Sequence, residues 1–204
     1  MSDFDLKAQG WDADASKVDR ALRVAEGIRA LAGDLSGRSA LEVGCGTGLL
    51  GFALRPYVAR ITLADTSAGM LAVLREKIAA SGLTGMTAVQ HDFTAGPIPE
   101  DRYGLLCSLM TFHHIPDTDE ALRRFHALLE PEGLLCIADL DAEDGSFHGP
   151  EAPVHRGFDR DRLRDGLVRA WFQDIRFSTP YIIDRETAQG PRRFPVFLVV
   201  ASKP

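Results

Sequence analysis

Ala40-Leu41-Glu42-Val43-Gly44-Cys45-Gly46-Thr47-Gly48 is the stretch that decides the fold. It is an apolar run that contains an acid and continues into three alternate glycines, which predicts a buried strand followed by a tight turn. Glycines at every second position leave the turn with few Cβ atoms, so its backbone can adopt positive φ and approach a ligand closely. The stretch therefore predicts a nucleoside-type cofactor site at the end of the first strand.

The register of the glycines and the position of Glu42 separate this turn from a dinucleotide site. A dinucleotide fingerprint needs Gly-x-Gly-x-x-Gly, and Leu49 stands where its third glycine would be, counting from Gly44. Glu42 stands where such a site usually has an apolar residue. A carboxylate at this position favours a ligand that carries an ammonium group.

Composition is that of an ordinary globular protein, with 204 residues, 45% of them hydrophobic and 25% charged. We expect one domain over residues 1–204, cytoplasmic by default, because neither a secretory signal nor a membrane-length apolar run is present. A net charge of −6 argues against binding to nucleic acid, which requires a basic face. The cysteines are far apart, which predicts buried small hydrophobes rather than a metal or redox pair.

Acids also end the next strands. Ile61 to Asp65 predicts a second buried strand, and Asp65 lies about twenty residues past the first glycine, the usual separation for a carboxylate that binds ribose hydroxyls. The alternative is an N-cap for the next helix, but Thr66 or Ser67 can serve as that cap. Thr87 to Phe93 predicts a third strand, whose Asp92 and Phe93 could hold an adenine or could be a turn-capping acid and a core ring.

Helices alternate with these strands. Residues 14–32 have helical spacing, with Ser16 and Asp19 as a capping box. Phe4 and Trp11 precede this helix, and either pack on it or close over a ligand. The last helix begins at Asp159, and its predicted inward residues are Leu163, Leu167, Val168 and Trp171. Residues 196–201 predict a final strand that begins after Pro195 and pairs antiparallel with the strand before it.

The acceptor side of the site is predicted where the fourth and fifth strands end. His113 and His114 follow the fourth strand, and Asp139 ends the fifth. Because adjacent side chains point in different directions, at most one of the two histidines is expected to face the site. Residues 140–158 form no periodic element and predict either a lid that carries His148 or a solvated loop.

With these residues in place, the chain resembles the class I S-adenosylmethionine-dependent methyltransferases over nearly its whole length. The resemblance rests on the segments Glu42–Gly48, Asp65, Asp92-Phe93, Tyr103–Pro116 and Leu129–Gly133. It implies an α/β Rossmann-like sandwich with a seven-stranded, mostly parallel sheet whose last strand is antiparallel. Glu132 departs from the pattern, since many relatives have glycine in the turn before the fifth strand.

The resemblance also implies roles for the residues. The cofactor would be S-adenosyl-L-methionine, with the glycine turn at its methionine end, Asp65 on the ribose, and Asp92 with Phe93 on the adenine. The predicted cofactor-binding residues are Glu42, Gly44, Cys45, Gly46, Gly48, Asp65, Thr66, Met70, Asp92, Phe93, Ser108 and Leu109. The Phe112-His113-His114 stretch is similar to the small-molecule branch that includes the quinone-ring methyltransferases.

The predicted function is transfer of the cofactor's methyl group to a nucleophilic atom of a small-molecule acceptor. His113 is the first candidate for a general base, followed by Asp139 and His148, because an imidazole titrates near neutral pH. No metal is predicted, since Asp139 and Asp141 are too few oxygen ligands for a catechol-type site. The alternative is a non-catalytic protein that binds the cofactor or its product as a regulatory or partner subunit. The acceptor, the attacking atom and the oligomeric state stay open.

Overall fold

A computed structural model describes residues 3–149, 151–187 and 190–204. The regions predicted above also include residues outside this description, namely Met1, Ser2 and Pro150, and the same holds for Ala188 and Gln189. Its strands are β1 (Ser39–Val43), β2 (Arg60–Asp65), β3 (Met86–Gln90), β4 (Tyr103–Leu109), β5 (Leu129–Leu140), β6 (Gln173–Thr187) and β7 (Gly190–Ser202). Its α-helices are α1 (Asp3–Lys7), α2 (Ala15–Ala32), α3 (Leu49–Leu54), α4 (Ala68–Ser81), α5 (Thr118–Leu128) and α6 (Arg160–Arg169).

The strands form one seven-stranded sheet in the order β3-β2-β1-β4-β5-β7-β6. The pairs from β3 to β5 are all parallel, whereas β7 is antiparallel to both of its neighbours. The predicted sheet with a reversed last strand is therefore confirmed. Because the strand order reverses between β1 and β4, the carboxyl ends of these strands border a crevice in which ligands bind in open α/β sheets.

Hydrophobic side chains cover both faces of the sheet. β1 is buried at every position, and the central residues of β4 and β5 are buried as well, as expected for strands covered by helices on two sides. Phe125 of α5 lies on one face and Ile28 of α2 on the other, and neither is exposed by more than 1%. Cys45, Cys107 and Cys136 are buried and free, as predicted.

Two details of the helices differ from the prediction. The N-cap of α2 is Asp14, whose Oδ1 accepts hydrogen bonds from the Ser16 N–H at 3.0 Å and the Ser16 hydroxyl at 2.6 Å, so the Ser16–Asp19 capping box was wrong. α6 ends at Arg169, and beyond it the chain turns outward, because Trp171 adopts a φ of +69°. Trp171 is therefore 76% exposed rather than inward. Val168 is 58% exposed because it lies within α6 on the face opposite the buried Leu163 and Leu167.

The hairpin of β6 and β7 extends past the sheet on the acceptor side. β7 begins at Gly190, earlier than predicted, and Pro195 lies within it opposite Ile182. The pairing of β6 shifts register between Ser178 and Tyr181, around Pro180. The hairpin thereby brings Ile183, Asp184 and Arg185 to the crevice.

The segment before α2 is bound to the cofactor side of the fold. Asp5 accepts hydrogen bonds from the Ser67 hydroxyl at 2.6 Å and the Gly69 N–H at 2.9 Å. Asp12 accepts from Thr47 of the glycine turn and from Lys77. These contacts place the segment beside the crevice, while the division into a cap region at 1–35 and a lid at 140–158 of a single domain stays a prediction.

Among the described residues, no helix is both long enough and apolar enough to cross a membrane.

Candidate active site

A cavity of about 770 Å³ opens at the carboxyl ends of the parallel strands. One wall consists of the glycine turn after β1, the end of β2 and the turn after β3, and the other consists of the turn after β4, the loop after β5 and the β6–β7 hairpin. Its volume lies within the range of small-molecule and cofactor sites.

The glycine turn presents main chain to this cavity. Gly44, Gly46 and Gly48 have φ values of +71°, +53° and +83°, a region that L side chains rarely adopt. A Cβ on Gly44 would lie 2.1 Å from Cγ2 of Thr111, whose hydroxyl donates to the Gly44 carbonyl at 3.0 Å. Glycine is therefore required at position 44 by both backbone conformation and space.

Glu42 is a buried acid behind the turn. Glu42 is only 2% exposed, and its Oε2 atom has no hydrogen-bond partner among the described residues. The pKa of Glu42 is raised to about 8, mainly by burial and also by the nearby Asp65, while a backbone hydrogen bond from Gly51 opposes the rise. A cationic ligand group would satisfy this carboxyl and favour its ionised form.

Asp65 connects the glycine turn to α4. Oδ2 accepts from the Gly46 N–H at 2.7 Å, and Oδ1 accepts from the Ser67 N–H at 2.8 Å. The N-cap of α4 is Ser67, one of the two residues predicted for that role. Asp65 also lines the cavity. It is therefore placed to bind a ligand hydroxyl and to hold the turn, and its ribose contact stays a prediction.

Asp92 and Phe93 lie in the turn after β3 and line the cavity. Asp92 Oδ1 accepts from the Thr94 N–H at 2.8 Å and the Thr94 hydroxyl at 2.6 Å, so Asp92 also stabilises the turn. Arg124 of α5, which the sequence reasoning did not identify, donates to the carbonyls of Phe93, Ala95 and Gly96.

The remaining predicted cofactor residues divide into two groups. Cys45, Thr66, Met70 and Leu109 line the cavity. Gly48 and Ser108 do not belong to its lining: Gly48 is the left-handed N-cap of α3, and the buried Ser108 hydroxyl donates to the Val43 carbonyl at 3.0 Å. These two residues shape the turn from behind.

On the opposite wall, the three predicted catalytic residues form one hydrogen-bonded chain. Asp139 Oδ1 lies 2.6 Å from His113 Nδ1, and His113 Nε2 lies 3.0 Å from His148 Nε2. Asp139 is fully buried and also accepts from the main-chain N–H groups of His113 and Leu140. Since Asp139 does not itself line the cavity, it acts through His113 as a positioning residue.

His114 faces the cavity as well, so the expectation that only one of the adjacent histidines does so was wrong. The short 3₁₀ helix Phe112–His114 brings the two rings to a centroid distance of 4.2 Å. The pKa of His114 is lowered to about 4, mainly by burial and also by the neighbouring His113 and His148. Burial also lowers the pKa of His148, with additional contributions from His113 and Arg185.

The described residues of the segment 140–158 are folded against the acceptor side of the cavity. Phe147 is buried beside Phe194 at a ring distance of 5.1 Å, and Glu143 accepts from the main-chain N–H groups of Gly145 and Phe147. Next to Phe147, His148 reaches the cavity. Whether the segment moves as a lid stays a prediction.

Two aromatic residues of the N-terminal segment complete the wall. Phe4 contacts the His114 ring edge-on at 5.4 Å, and Trp11 lies beside Phe4 with Lys17 over its ring. Both rings line the cavity, which agrees with the alternative that they close over a ligand.

Arg20 lines the cavity and was also missed by the sequence reasoning. It lies on α2, its Nε is buried, and this atom has no hydrogen-bond partner among the described residues. Burial lowers the pKa of Arg20, while Tyr181, Asp14 and Asp139 counteract this. Helical periodicity could not single it out, because Arg20 and the exposed Arg23 occur in the same polar context.

The sheet order and the glycine-rich cavity define a class I S-adenosylmethionine-dependent methyltransferase, and the chain belongs to this family. Residues 40–133 match the model of a methyltransferase domain. The chain is 30% identical to an uncharacterized methyltransferase, GK2543, of Geobacillus kaustophilus over 177 residues, which cover 84% of this chain and 78% of the relative. It is 31% identical to the ubiquinone/menaquinone biosynthesis C-methyltransferase UbiE of Shewanella sediminis over 180 residues, covering 72% of this chain and 71% of the relative.

A solved structure supports the fold. The putative methyltransferase of Haloferax volcanii, solved in complex with the activator Trm112, superposes with a TM-score of 0.78 at 20% identity and covers 100% of this chain and 99% of its own. Other curated relatives are longer, and the chain spans 43% to 60% of their lengths.

Proposed function

We propose that this chain transfers the methyl group of S-adenosyl-L-methionine to a nucleophilic atom of a small-molecule acceptor. The observation that carries the proposal is the hydrogen-bonded chain of Asp139, His113 and His148, which faces the same cavity as the glycine turn. The cavity therefore combines a main-chain surface for a cofactor with a side-chain arrangement for moving a proton.

The residues on the first wall fit this cofactor. Gly44 and Gly46 expose main chain, the unpartnered Oε2 of Glu42 suits an ammonium group, and Asp65 and Asp92 line the adjoining surface. When bound, the cofactor supplies a sulfonium-activated methyl group. The task of the protein is then to orient the acceptor and exclude water, which can lower a barrier by about 7–11 kcal/mol.

The geometry of the second wall gives a direction to proton movement. Asp139 holds the proton of His113 on Nδ1, so Nε2 of His113 carries a lone pair and accepts from His148 Nε2–H. Nδ1 of His148 is then the acceptor atom of the chain. A proton from the substrate would pass to this Nδ1 as His148 gives its own proton to His113.

Arg20 indicates the charge of the acceptor. A buried guanidinium remains protonated, so its unpartnered Nε favours an anionic ligand such as a carboxylate or phenolate. Arg185 lines the same cavity and lies close enough to His148 to lower the pKa of that ring, so it adds positive charge on the acceptor side. We therefore propose an acceptor with an anionic group.

The relatives support a small-molecule acceptor. They include the UbiE enzyme of quinone biosynthesis and, in Bordetella avium, a ubiquinone biosynthesis O-methyltransferase. The alternative of a non-catalytic cofactor-binding subunit would favour an exposed apolar patch in place of the histidine-lined cavity.

The test is a cofactor titration followed by a methyl-transfer screen over phenols, quinones, amines and small acids. We expect micromolar cofactor binding and turnover on an anionic member of the panel. Arg20→Gln should raise KM for that acceptor at least about tenfold with little change in kcat, whereas the exposed Arg23→Gln on the same helix should leave both unchanged. Cofactor binding without turnover on any acceptor would support the non-catalytic alternative.

A further inference from the structure

We propose that His113, His114 and His148 form a binding site for a divalent transition-metal ion of the zinc type. One ring nitrogen from each residue lies within 4.8 Å of the other two, and the Nε2 atoms of His113 and His148 are 3.0 Å apart. Imidazole is a common ligand for zinc, copper, iron and nickel, and three histidines with an open position form a known type of zinc site.

The distances suit a tetrahedral ion after a small adjustment. Zinc–nitrogen bonds of about 2.0–2.1 Å place adjacent ligand nitrogens roughly 3.4 Å apart. The Nε2 atoms of His113 and His148 are slightly nearer than this, and one nitrogen of His114 lies within 4.8 Å of a nitrogen of each of the other two rings. His114 is half-buried and packs against Phe4, and small rotations of the three rings would be needed to equalise their distances to an ion.

Asp139 supplies the outer shell that such a site requires. Histidine ligands usually donate their second N–H to a carboxylate or carbonyl, which fixes the ring and directs the other nitrogen to the metal. Asp139 Oδ1 lies 2.6 Å from His113 Nδ1 and is itself held by the Leu140 N–H at 2.7 Å. The Nε2 lone pair of His113 is therefore directed toward His148 and the cavity.

The ligands come from two separate parts of the fold, and both are packed against buried residues. His113 and His114 belong to the 3₁₀ helix after β4, and His148 follows Phe147, which is buried against the β6–β7 hairpin. All three residues line the cavity, so a fourth coordination position would face its interior. An oxygen or sulfur ligand could reach the ion there.

Metal binding has a consequence that rests on the proposed function. The ion takes the Nε2 lone pairs of His113 and His148 and replaces the hydrogen bond between them, so His148 carries its remaining proton on Nδ1. Neither ring can then accept a proton from the substrate. Stoichiometric zinc should therefore inhibit methyl transfer, and a chelator should restore it.

The test uses the metal-stripped full chain without cofactor or acceptor. Zinc titrated in competition with a chromophoric chelator should bind at one ion per chain, and Co²⁺ should give the intense visible d–d bands of tetrahedral coordination. His114→Ala and His148→Ala should each weaken zinc binding by at least about 10²-fold, and His126→Ala, outside the cavity, should not.

Unchanged zinc affinity in both His114→Ala and His148→Ala, or a weak octahedral Co²⁺ spectrum, would overturn the site. Since zinc binding is measured without methyl transfer, an inactive but zinc-binding protein would contradict the proposed function and support the metal site. Activity that persists at full zinc occupancy would contradict the inhibition.

Discussion

The two walls of the cavity are built on different principles. The cofactor wall comes mainly from residues 42–70 and uses main-chain groups whose placement is set by glycines at positive φ. The acceptor wall is assembled from His113, Asp139 and His148, and from Arg20 on α2, and uses side chains that only the folded sheet brings together. A local wall can be recognised in a sequence motif, whereas a wall of distant side chains requires the structure.

Asp65→Ala should have the largest effect and should be confined to the cofactor wall. It removes the predicted ribose contact and the hydrogen bonds to the Gly46 and Ser67 N–H groups, each charge-assisted bond being worth about 1.5–3 kcal/mol. Cofactor affinity should fall by roughly 10³-fold or more, beyond calorimetric detection. Glu76→Ala, exposed on α4, is the control; measurable binding by Asp65→Ala would disprove the ribose assignment.

Gly44→Ala should destabilise the fold by about 3 kcal/mol, since positive φ costs a non-glycine residue about 1–2 kcal/mol and overpacking adds a similar amount. The added Cβ would meet Thr111 at 2.1 Å. Gly96→Ala isolates the backbone cost, because Gly96 has a φ of +66° with nothing within 4 Å. If urea denaturation shows that Gly44→Ala and Gly96→Ala lose the same free energy of unfolding, the contact between the new Cβ and Thr111 is relieved without cost.

Asp139→Asn tests the acceptor wall alone. The amide can donate to His113 Nδ1, which moves the proton of His113 to Nε2 and blocks the path from His148. We expect kcat to fall about 10²-fold, with a changed pH profile and an unchanged cofactor Kd. A nitrogen NMR spectrum that still shows the Nδ1–H tautomer would contradict this mechanism.

Glu42→Gln examines whether the cofactor wall contains a titrating acid. The pKa of Glu42 is raised to about 8 in the folded chain, above its ordinary value, so the folded protein holds a proton that the unfolded chain has already lost. The free energy of unfolding should therefore fall as the pH rises from about 4.5 to about 8, on the order of 5 kcal/mol over that window, and less so in Glu42→Gln. Parallel pH–stability curves for the unmodified chain and Glu42→Gln would refute the titration of Glu42. Glu26→Gln, which changes an exposed acid, is the control and should follow the unmodified chain.

Glu132→Gly should have the smallest effect and should touch neither wall. Glu132 adopts a φ of +61° just before the buried part of β5, a conformation that suits glycine better than a residue with a Cβ. We expect a gain of about 0.5–1 kcal/mol in unfolding free energy with unchanged cofactor affinity. Glu132→Ala keeps the Cβ and should give no such gain.

Much of the fold could be predicted because its signals are local. Buried strands that end in acids, separated by amphipathic helices, give the parallel core, and the lack of a helix between the last two strands gives the antiparallel end. The errors occurred where a residue's partner decides its role. Ser16 donates to Asp14 instead of capping the helix itself, and the positive φ of Trp171 turns that side chain outward past the end of α6.

The same distinction explains the site. The sequence identified Glu42 and Asp65 through their spacing from the glycines and Asp92 through its position at the end of a predicted strand, and all three line the cavity. It could not show that His114 shares the cavity with His113, because the direction of adjacent side chains depends on the 3₁₀ helix. Arg20 has no local signature, since its burial arises only when α2 packs beside the β6–β7 hairpin.

The burial of the three cysteines makes the chain suited to site-specific labelling. Burial raises the pKa of Cys136 to about 12 and those of Cys45 and Cys107 well above the ordinary value, so their thiolate forms are scarce near neutral pH. In an Ala142→Cys variant, the exposed new thiol would be the one that a maleimide dye reaches readily. A fluorophore there would report directly on movements of the segment that carries His148.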